Sequence, residues 1–290
     1  TVCYLFLFFL GDLRKNISLC LAGVTAAFIL YGLTLVLLQR SERGGMHPGA
    51  DAPAQSSGFF HRYFYLTGII LLAVIFRGII WLSPPILSDD IYRYVWEGKI
   101  FSAGFNPFAL APQDQALEQF RDNVIFPGVT RKQLTTIYPP VAQFIFAACS
   151  RVSPSLYAMK MTFTLFDLGT IAVLLLTLRA LRMPAQRVAL YALHPLVIME
   201  FSGSGHLDSA GIFFLMLALY CCLAGKKTGT VISLAGSFLV KFLPLVLLPL
   251  LLPRKKKYGG VFLFAATCLM CYLPFISAGE KLFQTLEIYA

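Results

Sequence analysis

Apolar residues fall in blocks along this chain, and the blocks differ in length. Ile17–Leu38, Tyr63–Leu82 and Leu156–Leu178 are each close to the roughly 20 residues that an α-helix needs to cross a bilayer. Val188–Met199 and Ala210–Cys222 are shorter, and the glycine-rich stretch Glu200–Asp208 between them predicts two spans meeting at a polar elbow. Thr230–Leu252 is apolar except for Lys241, with Pro244 three residues on. A last span is predicted from Val261 to Ile276. The opening run Thr1–Leu10 is too short to span, and no stop signal follows Ala290, so a C-terminally truncated fragment of a longer chain is expected. The 56-residue polar segment Ser83–Tyr138 interrupts the pattern and leads into a short apolar run, Val141–Cys149.

Within that segment, Asp89, Arg93 and Glu97 recur every four residues and Asp90 lies three before Arg93, which places acid, base and acid on one helix face. Tyr92, Tyr94, Trp96 and Phe101 are aromatics of the kind found at membrane–water interfaces. Gly104, Asn106 and Pro107 end the helix. An amphipathic helix is therefore expected at the end of a membrane span.

Composition and charge agree with the blocks. The 290 residues are 58% hydrophobic and 13% charged, about half the charge of an ordinary soluble chain. The net charge of +10 sits in short clusters between apolar runs, a positive-inside pattern and not a nucleic-acid footprint. Ser83–Tyr138 carries six acids and five bases, so it is placed outside, and the Gly/Pro/Ser-rich loop Gln39–Arg62, with Arg40, Arg43, Arg62, His47 and His61, inside. Arg179, Arg182 and Arg187, then Lys226 and Lys227, then Arg254 to Lys257 also read as inner-face clusters. The last two clusters stay on one side only if the chain turns back at Lys241–Pro244, in two arms of about 15–18 Å at 1.5 Å per residue. The layout is thus N-terminal spans and inner loop 1–62, span 63–82, outer loop 83–138, and spans 139–290 with a re-entrant hairpin near 241–244. Of the seven cysteines, Cys268 and Cys271 form a lone CxxC without a second pair or nearby histidine, and read as apolar helix residues.

Several residues can carry chemistry. Asp89 or Asp90, at an outward span end, can act as a general base on a hydroxyl; the competing reading is a helix N-cap. Lys241, a cation inside an apolar run, calls for an anion, either a lipid phosphate or Asp167. His206 and Asp208 form an HxD in the elbow, suited to a sugar hydroxyl or phosphate or to plain loop hydrogen bonding, and too small a ligand set for zinc. Glu200 can join that group. Arg77, inside a span, has two candidate partners, a phosphate and Asp167. His194 before Pro195 reads as structural, and Tyr138-Pro139-Pro140 with Gln143 as the point where the chain re-enters the membrane.

The runs SDDIYRYVWEGKIFSAGFNPFALAP, YPPVAQFIF, HPLVIMEFSGSGHLD and VKFLPLVLLPLLL together resemble the polyprenyl-phosphate-sugar-dependent membrane glycosyltransferases of the GT-C superfamily, in their bacterial mannosyltransferase-like branch. The resemblance covers most of Tyr63–Ile276. It implies an all-α, polytopic helical bundle whose outer loop carries amphipathic helices. Asp89 and Asp90 then match the acidic motif of the first outer loop, Lys241 a polar position in a short broken helix, and Gly205–Asp208 a segment that often reads G-H-N-D, from which Leu207 departs.

The function so implied is an inverting hexosyltransferase of the bacterial inner membrane, multi-pass, with its site facing the periplasm or exterior. It takes a mannose-like sugar from a polyprenyl-phosphate donor to a hydroxyl on a glycan, glycolipid or protein. Asp90 and Asp89 are the candidate catalytic bases. Lys241, His206, Asp208, Arg93, Glu97, Arg77 and Tyr138 are the candidate substrate-binding residues. No cofactor is assigned, and a divalent cation at the acidic motif is left open. The alternative is a transporter or flippase of lipid-linked sugars, which this chain, without internal repeats, fits less well. Cysteines placed at Ser102 and at Lys256 should label from opposite faces of sealed vesicles; labelling from one face would reverse the topology.

Overall fold

The computed structural model describes residues 1–11, 13, 15–44, 57–85, 87–251, 257–282 and 284, with the side chains of 41–44, 57–62 and 257 excepted. The readings made on His47, on the side chains of Arg43, His61 and Arg62, and on Arg254, Lys255 and Lys256 lie outside the described residues. Among those described, the chain is helical and contains no strand. The helices are α1 (Val2–Phe9), α2 (Ile17–Gly44), α3 (Ser57–Trp81), α4 (Asp90–Ser102), α5 (Pro140–Val152), α6 (Leu156–Ala180), α7 (Ala189–Ala192), α8 (Pro195–Ile198), α9 (Asp208–Leu223), α10 (Lys227–Phe238), α11 (Leu248–Leu251) and α12 (Lys257–Tyr272).

Ile17–Arg40, Tyr63–Trp81, Leu156–Ala180 and Tyr258–Ala278 are long and apolar enough to cross a membrane. Their outer faces expose Leu21, Leu33, Leu71, Leu165 and Phe262. In lipid, such faces need no partner, while the helix satisfies its own backbone. This is a helical membrane protein.

α3 and α6 run antiparallel. Arg77 in the last turns of α3 meets Asp167 midway along α6, and Lys160 near the start of α6 donates to the Ser83 carbonyl at 2.6 Å and, at 3.3 Å, to the Ile80 carbonyl that Ser83 also reaches.

α4 is the hub of the polar segment 83–138, the outer segment of the sequence reading. Ser88 Oγ accepts the Asp90 N–H at 3.2 Å, while Asp89, at the N-cap position, makes no side-chain cap. Asp90 in the first turn and Lys99 in the last suit the helix dipole. The helix ends in a Schellman motif: Gly104 takes φ +90° and donates to Phe101, and Phe105 donates to Ile100. Around α4, Ile91, Tyr94, Val95, Trp96 and Ile100 join Leu117, Ile125 and Val129 of the outer segment, Phe146 of α5, and Met159 and Phe163 of α6 in one core. Tyr94 stacks on Phe146 with centroids 4.7 Å apart. Tyr94 and Trp96 thus face protein and not, as their composition predicts, the lipid interface. The α4–α5 packing that encloses them depends on Gly98, where a Cβ would overlap the Phe146 carbonyl and Ser150 Oγ.

Two apolar blocks depart from simple spans. Val188–Met199 is not one helix. Pro195 lacks an N–H and restricts His194, so the block splits into α7, α8 and a π-helical turn, Met199–Ser204. Thr230–Leu252 breaks after Phe238. Leu247, Leu248 and Leu251 then return to the cluster of Val231, Leu234 and Ala235 in α10, so the chain reverses around Lys241.

Gly98→Ala should force α4 and α5 apart, at a cost of about 1–3 kcal/mol. The readout is the thermal unfolding midpoint in detergent, and an unchanged midpoint would contradict this packing.

Candidate active site

Four distant parts of the sequence meet at the first turn of α4. The π-helical turn Met199–Ser204 ends at Gly205, whose φ of +71° is open to glycine at little cost and where a Cβ would strike Ile91 and crowd Lys160. The elbow therefore lies directly on α4. Ser204 Oγ accepts the Leu87 N–H at 3.3 Å, tying the approach to α4 to the same elbow. Where α10 ends, the freed carbonyl of Leu239 accepts N–H groups of Val141 at 3.1 Å and Ala142 at 3.4 Å. The break before Lys241 thus caps the start of α5, immediately after Tyr138-Pro139-Pro140.

Asp90, at the first position of α4, lines a cavity of about 380 Å3 together with Tyr138, Ile137 and the turn bearing Thr130, Arg131 and Thr135. Arg93 reaches the wall of this cavity, but its guanidinium is committed. It donates to Glu97 at 2.7 Å and to the carbonyls of Thr130, Arg131 and Leu134 at 3.2, 3.0 and 2.6 Å. Glu97 is 1% exposed and also accepts from Thr136 Oγ1 at 2.7 Å and Gln143 Nε2 at 2.6 Å. The structure therefore puts Glu97 in a buried network that holds the turn, away from the cavity.

The second cluster sits in the elbow. Lys241 Nζ pairs with Asp208 Oδ1 at 2.5 Å. His206 Nδ1 stands 3.7 Å from Glu200 and 3.9 Å from Asp208, too long for hydrogen bonds, and attraction there requires a protonated ring. The Lys241 side chain is 56% exposed within the chain, so the interior cation expected from the apolar run is an accessible one with a carboxylate partner, and that partner is not Asp167.

Tyr94 joins the two clusters. Its phenol is hydrogen-bonded to Tyr138, with the rings edge to face and centroids 5.1 Å apart. Burial pushes the Tyr94 phenol well above its ordinary range, and Tyr138, Asp90 and Asp208 push it further. Burial likewise raises Tyr138, followed by Asp90 and Glu97, with Arg93 opposing. Both phenols stay protonated at any working pH. Carboxylates from residues 90 and 208 thus bear on one hydroxyl.

Arg77 is elsewhere. It is 1% exposed and donates to Asp167 at 2.6 Å and to the Ala192 carbonyl at 2.7 Å, partners that belong to neither cluster. Of its two sequence readings, the ion pair is the one formed. Among the described residues no three His, Cys, Asp or Glu side chains are grouped to hold a metal.

The family model for the N-terminal domain of alpha-(1→6)-mannopyranosyltransferase, MptA/B family, matches residues 53–254. The chain belongs to that family. No curated protein and no solved structure matches it. The matched residues contain the whole of α4, the elbow and Lys241, so both clusters lie within the mannosyltransferase domain. Sequence reasoning singled out Asp90, Tyr138, Asp208 and Lys241. It missed the wall formed by Thr130, Arg131 and Thr135, where only the polar run TRKQLTT signals a surface.

Asp167→Asn should strand a buried guanidinium and cost about 3–5 kcal/mol, with much of the loss recovered in Arg77→Met/Asp167→Leu. Thermal unfolding in detergent reads both. A double variant as unstable as the single one would show that the pair has another role.

Proposed function

We propose that this mannosyltransferase-family protein is an inverting enzyme of GT-C type. In this reading it transfers mannose from a polyprenyl-phosphate donor to a hydroxyl acceptor at the extracytoplasmic face of the bacterial inner membrane. The observation that carries the reading is that the charges of Asp90 and of Asp208, the latter paired with Lys241, both bear on the buried Tyr94 phenol. Charge supports the orientation, since the segment bearing Asp90 holds one more acid than base while basic clusters lie in the other loops.

Asp90 takes the proton of the acceptor hydroxyl as its oxygen attacks the anomeric carbon. The new C–O bond forms on the face opposite the phosphate. The old bond breaks with its electron pair leaving on polyprenyl phosphate, through an oxocarbenium-like state. Lys241 exchanges part of its contact with Asp208 for the departing phosphate, offsetting the charge that develops there. His206 stands beside Asp208 and Glu200, where it orients the same end of the donor. Asp89, one residue before, supports the turn into α4 and is the second candidate base. The family name carries an α-(1→6) linkage. A single inverting displacement yields an α product only from a β-linked donor, so a β-mannosyl phosphate is the donor this chemistry requires.

With the protein in nanodiscs and a radiolabelled polyprenyl-phosphate mannose, Asp90→Asn should lower product formation by about 10²–10⁴-fold while donor binding persists. Lys241→Met should raise the donor KM by about tenfold. Full turnover in both Asp90→Asn and Asp89→Asn would remove the carboxylate base from the mechanism.

A further inference from the structure

The end of the bundle remote from α4 holds a second cavity. α3 begins and α6 ends there, since the two helices are antiparallel and their other ends meet where Trp81 Nε1 donates to the Tyr157 carbonyl at 3.0 Å. The cavity measures about 330 Å3 and is lined by Tyr63 and Leu66 of α3 and by the turn after α6, with Arg182, Met183 and Gln186. Tyr63 is the first residue of one span and Ala180 the last of another. The cavity therefore lies at the level where hydrocarbon gives way to lipid headgroups. Tyr63 and Trp81 stand about 27 Å apart along α3 at 1.5 Å per residue, so a ligand here is out of reach of Asp90.

Arg182 dominates this lining. Among the described residues two that are not glycine take a left-handed backbone, Arg131 at φ +48° and Arg182 at φ +54°. Arg93 holds the first, through the carbonyls of Thr130 and Arg131. The second closes α6 in a Schellman motif: Met183 N–H donates to the Leu178 carbonyl at 2.8 Å and Arg182 N–H to that of Arg179 at 3.1 Å. Glycine suits that position best, and Gly104 occupies it at the end of α4. Arginine there is strained, but it places a guanidinium at the cavity. The side chain is exposed, and no carboxylate among the described residues pairs with it. Asp167, the acid of α6, is buried against Arg77. The surroundings repeat the sign: Arg179 and Arg187 flank the turn, and Arg40 follows Leu38, which packs on the cluster containing Val188. Gln186 adds an uncharged amide donor, while Leu66 and Met183 give the cavity an apolar side.

We propose that this cavity binds the phosphate of an anionic membrane phospholipid. Arg182 meets two phosphate oxygens with its planar fork, and Gln186 donates to another. The glycerol and the first acyl carbons then lie against Leu66 and Met183. A soluble anion would use the guanidinium but not this apolar side, and basic pockets between spans are recurrent headgroup sites. The inference is narrower than a general attraction of a positive membrane face for anionic lipid, because it assigns one lipid to named groups. It is independent of the transferase reading and stands or falls without it.

The test titrates phosphatidylglycerol into the full chain in detergent and reads bound lipid by native mass spectrometry. Phosphatidylglycerol should bind about tenfold more tightly than phosphatidylcholine, and Arg182→Gly should weaken it by about tenfold. That variant should not lower the thermal unfolding midpoint, since glycine relieves the left-handed turn. Arg182→Lys keeps the charge without the fork and should fall between the two. Gln186→Leu should weaken binding more modestly. Lys227→Gln removes a charge from the start of α10, at the same far end because α9 leads away from the elbow, and should leave the affinity unchanged. An equal loss in Lys227→Gln would mean diffuse attraction and overturn the site. Displacement of the lipid by millimolar inorganic phosphate, or equal binding of phosphatidylcholine, overturns the anionic-lipid assignment. Unchanged phosphatidylglycerol affinity in both Arg182→Gly and Arg182→Lys overturns the site outright.

Discussion

The polar segment 83–138 depends on the close approach of α4 to α5 at Gly98. With no side chain there, the two helices come near enough for Tyr94 to stack on Phe146 and for Gln143 and Thr136 to reach Glu97. Separate them, and Glu97 loses the Gln143 amide of α5 and is left more dependent on Arg93, four residues back on its own helix. A charged group at such depth is tolerable only when fully hydrogen-bonded. Packing and polar satisfaction are thus a single constraint here.

That constraint explains how a long polar segment with little regular structure keeps a defined shape. Between α4 and α5 the chain has only short 3-10 turns. It is fastened at a few points: Lys99 to Asp122 at 2.9 Å and to the Phe120 carbonyl, Asp122 to the N–H groups of Val124 and Ile125, and Asn106 to the Phe275 carbonyl. Burial pushes the Asp122 carboxyl up, but the Ile125 and Val124 N–H groups and Lys99 outweigh it and hold the group below its usual range. The charged residues of this segment mostly serve its architecture, while Asp90 and Arg131 line the cavity.

Much of this was legible in the sequence, for reasons that differ by element. Ile17–Leu38, Tyr63–Leu82 and Leu156–Leu178 were read nearly to their ends because a membrane demands a long uninterrupted apolar run. The stop of α4 was readable from Gly104 because capping chemistry is local, whereas at its start Asp89 makes no side-chain cap and Ser88 accepts the Asp90 N–H instead. What could not be read was which way a side chain turns. Tyr94 and Trp96 carry the composition of an interfacial belt, yet long-range contacts with Phe146, Phe163 and Phe126 draw them inward. Arg77 and Lys241 presented the same puzzle, a cation in an apolar block, and had different answers because their anions are 90 and 33 residues away. The left-handed Arg131 had no local signature at all, since its cause is a guanidinium from another helix.

The joint between α10 and α5 has one more consequence. The Leu239 oxygen that receives the amides of Val141 and Ala142 belongs to the main chain, so the coupling of the two segments is indifferent to the identity of the side chain at 239. Leu239 is itself fully buried, so a change of side chain there acts on core packing and not on the tie. What the tie requires is the place where the helix stops: moving the break by one residue would swing the acceptor oxygen about 100° around the axis and leave the first turn of α5 without its lid.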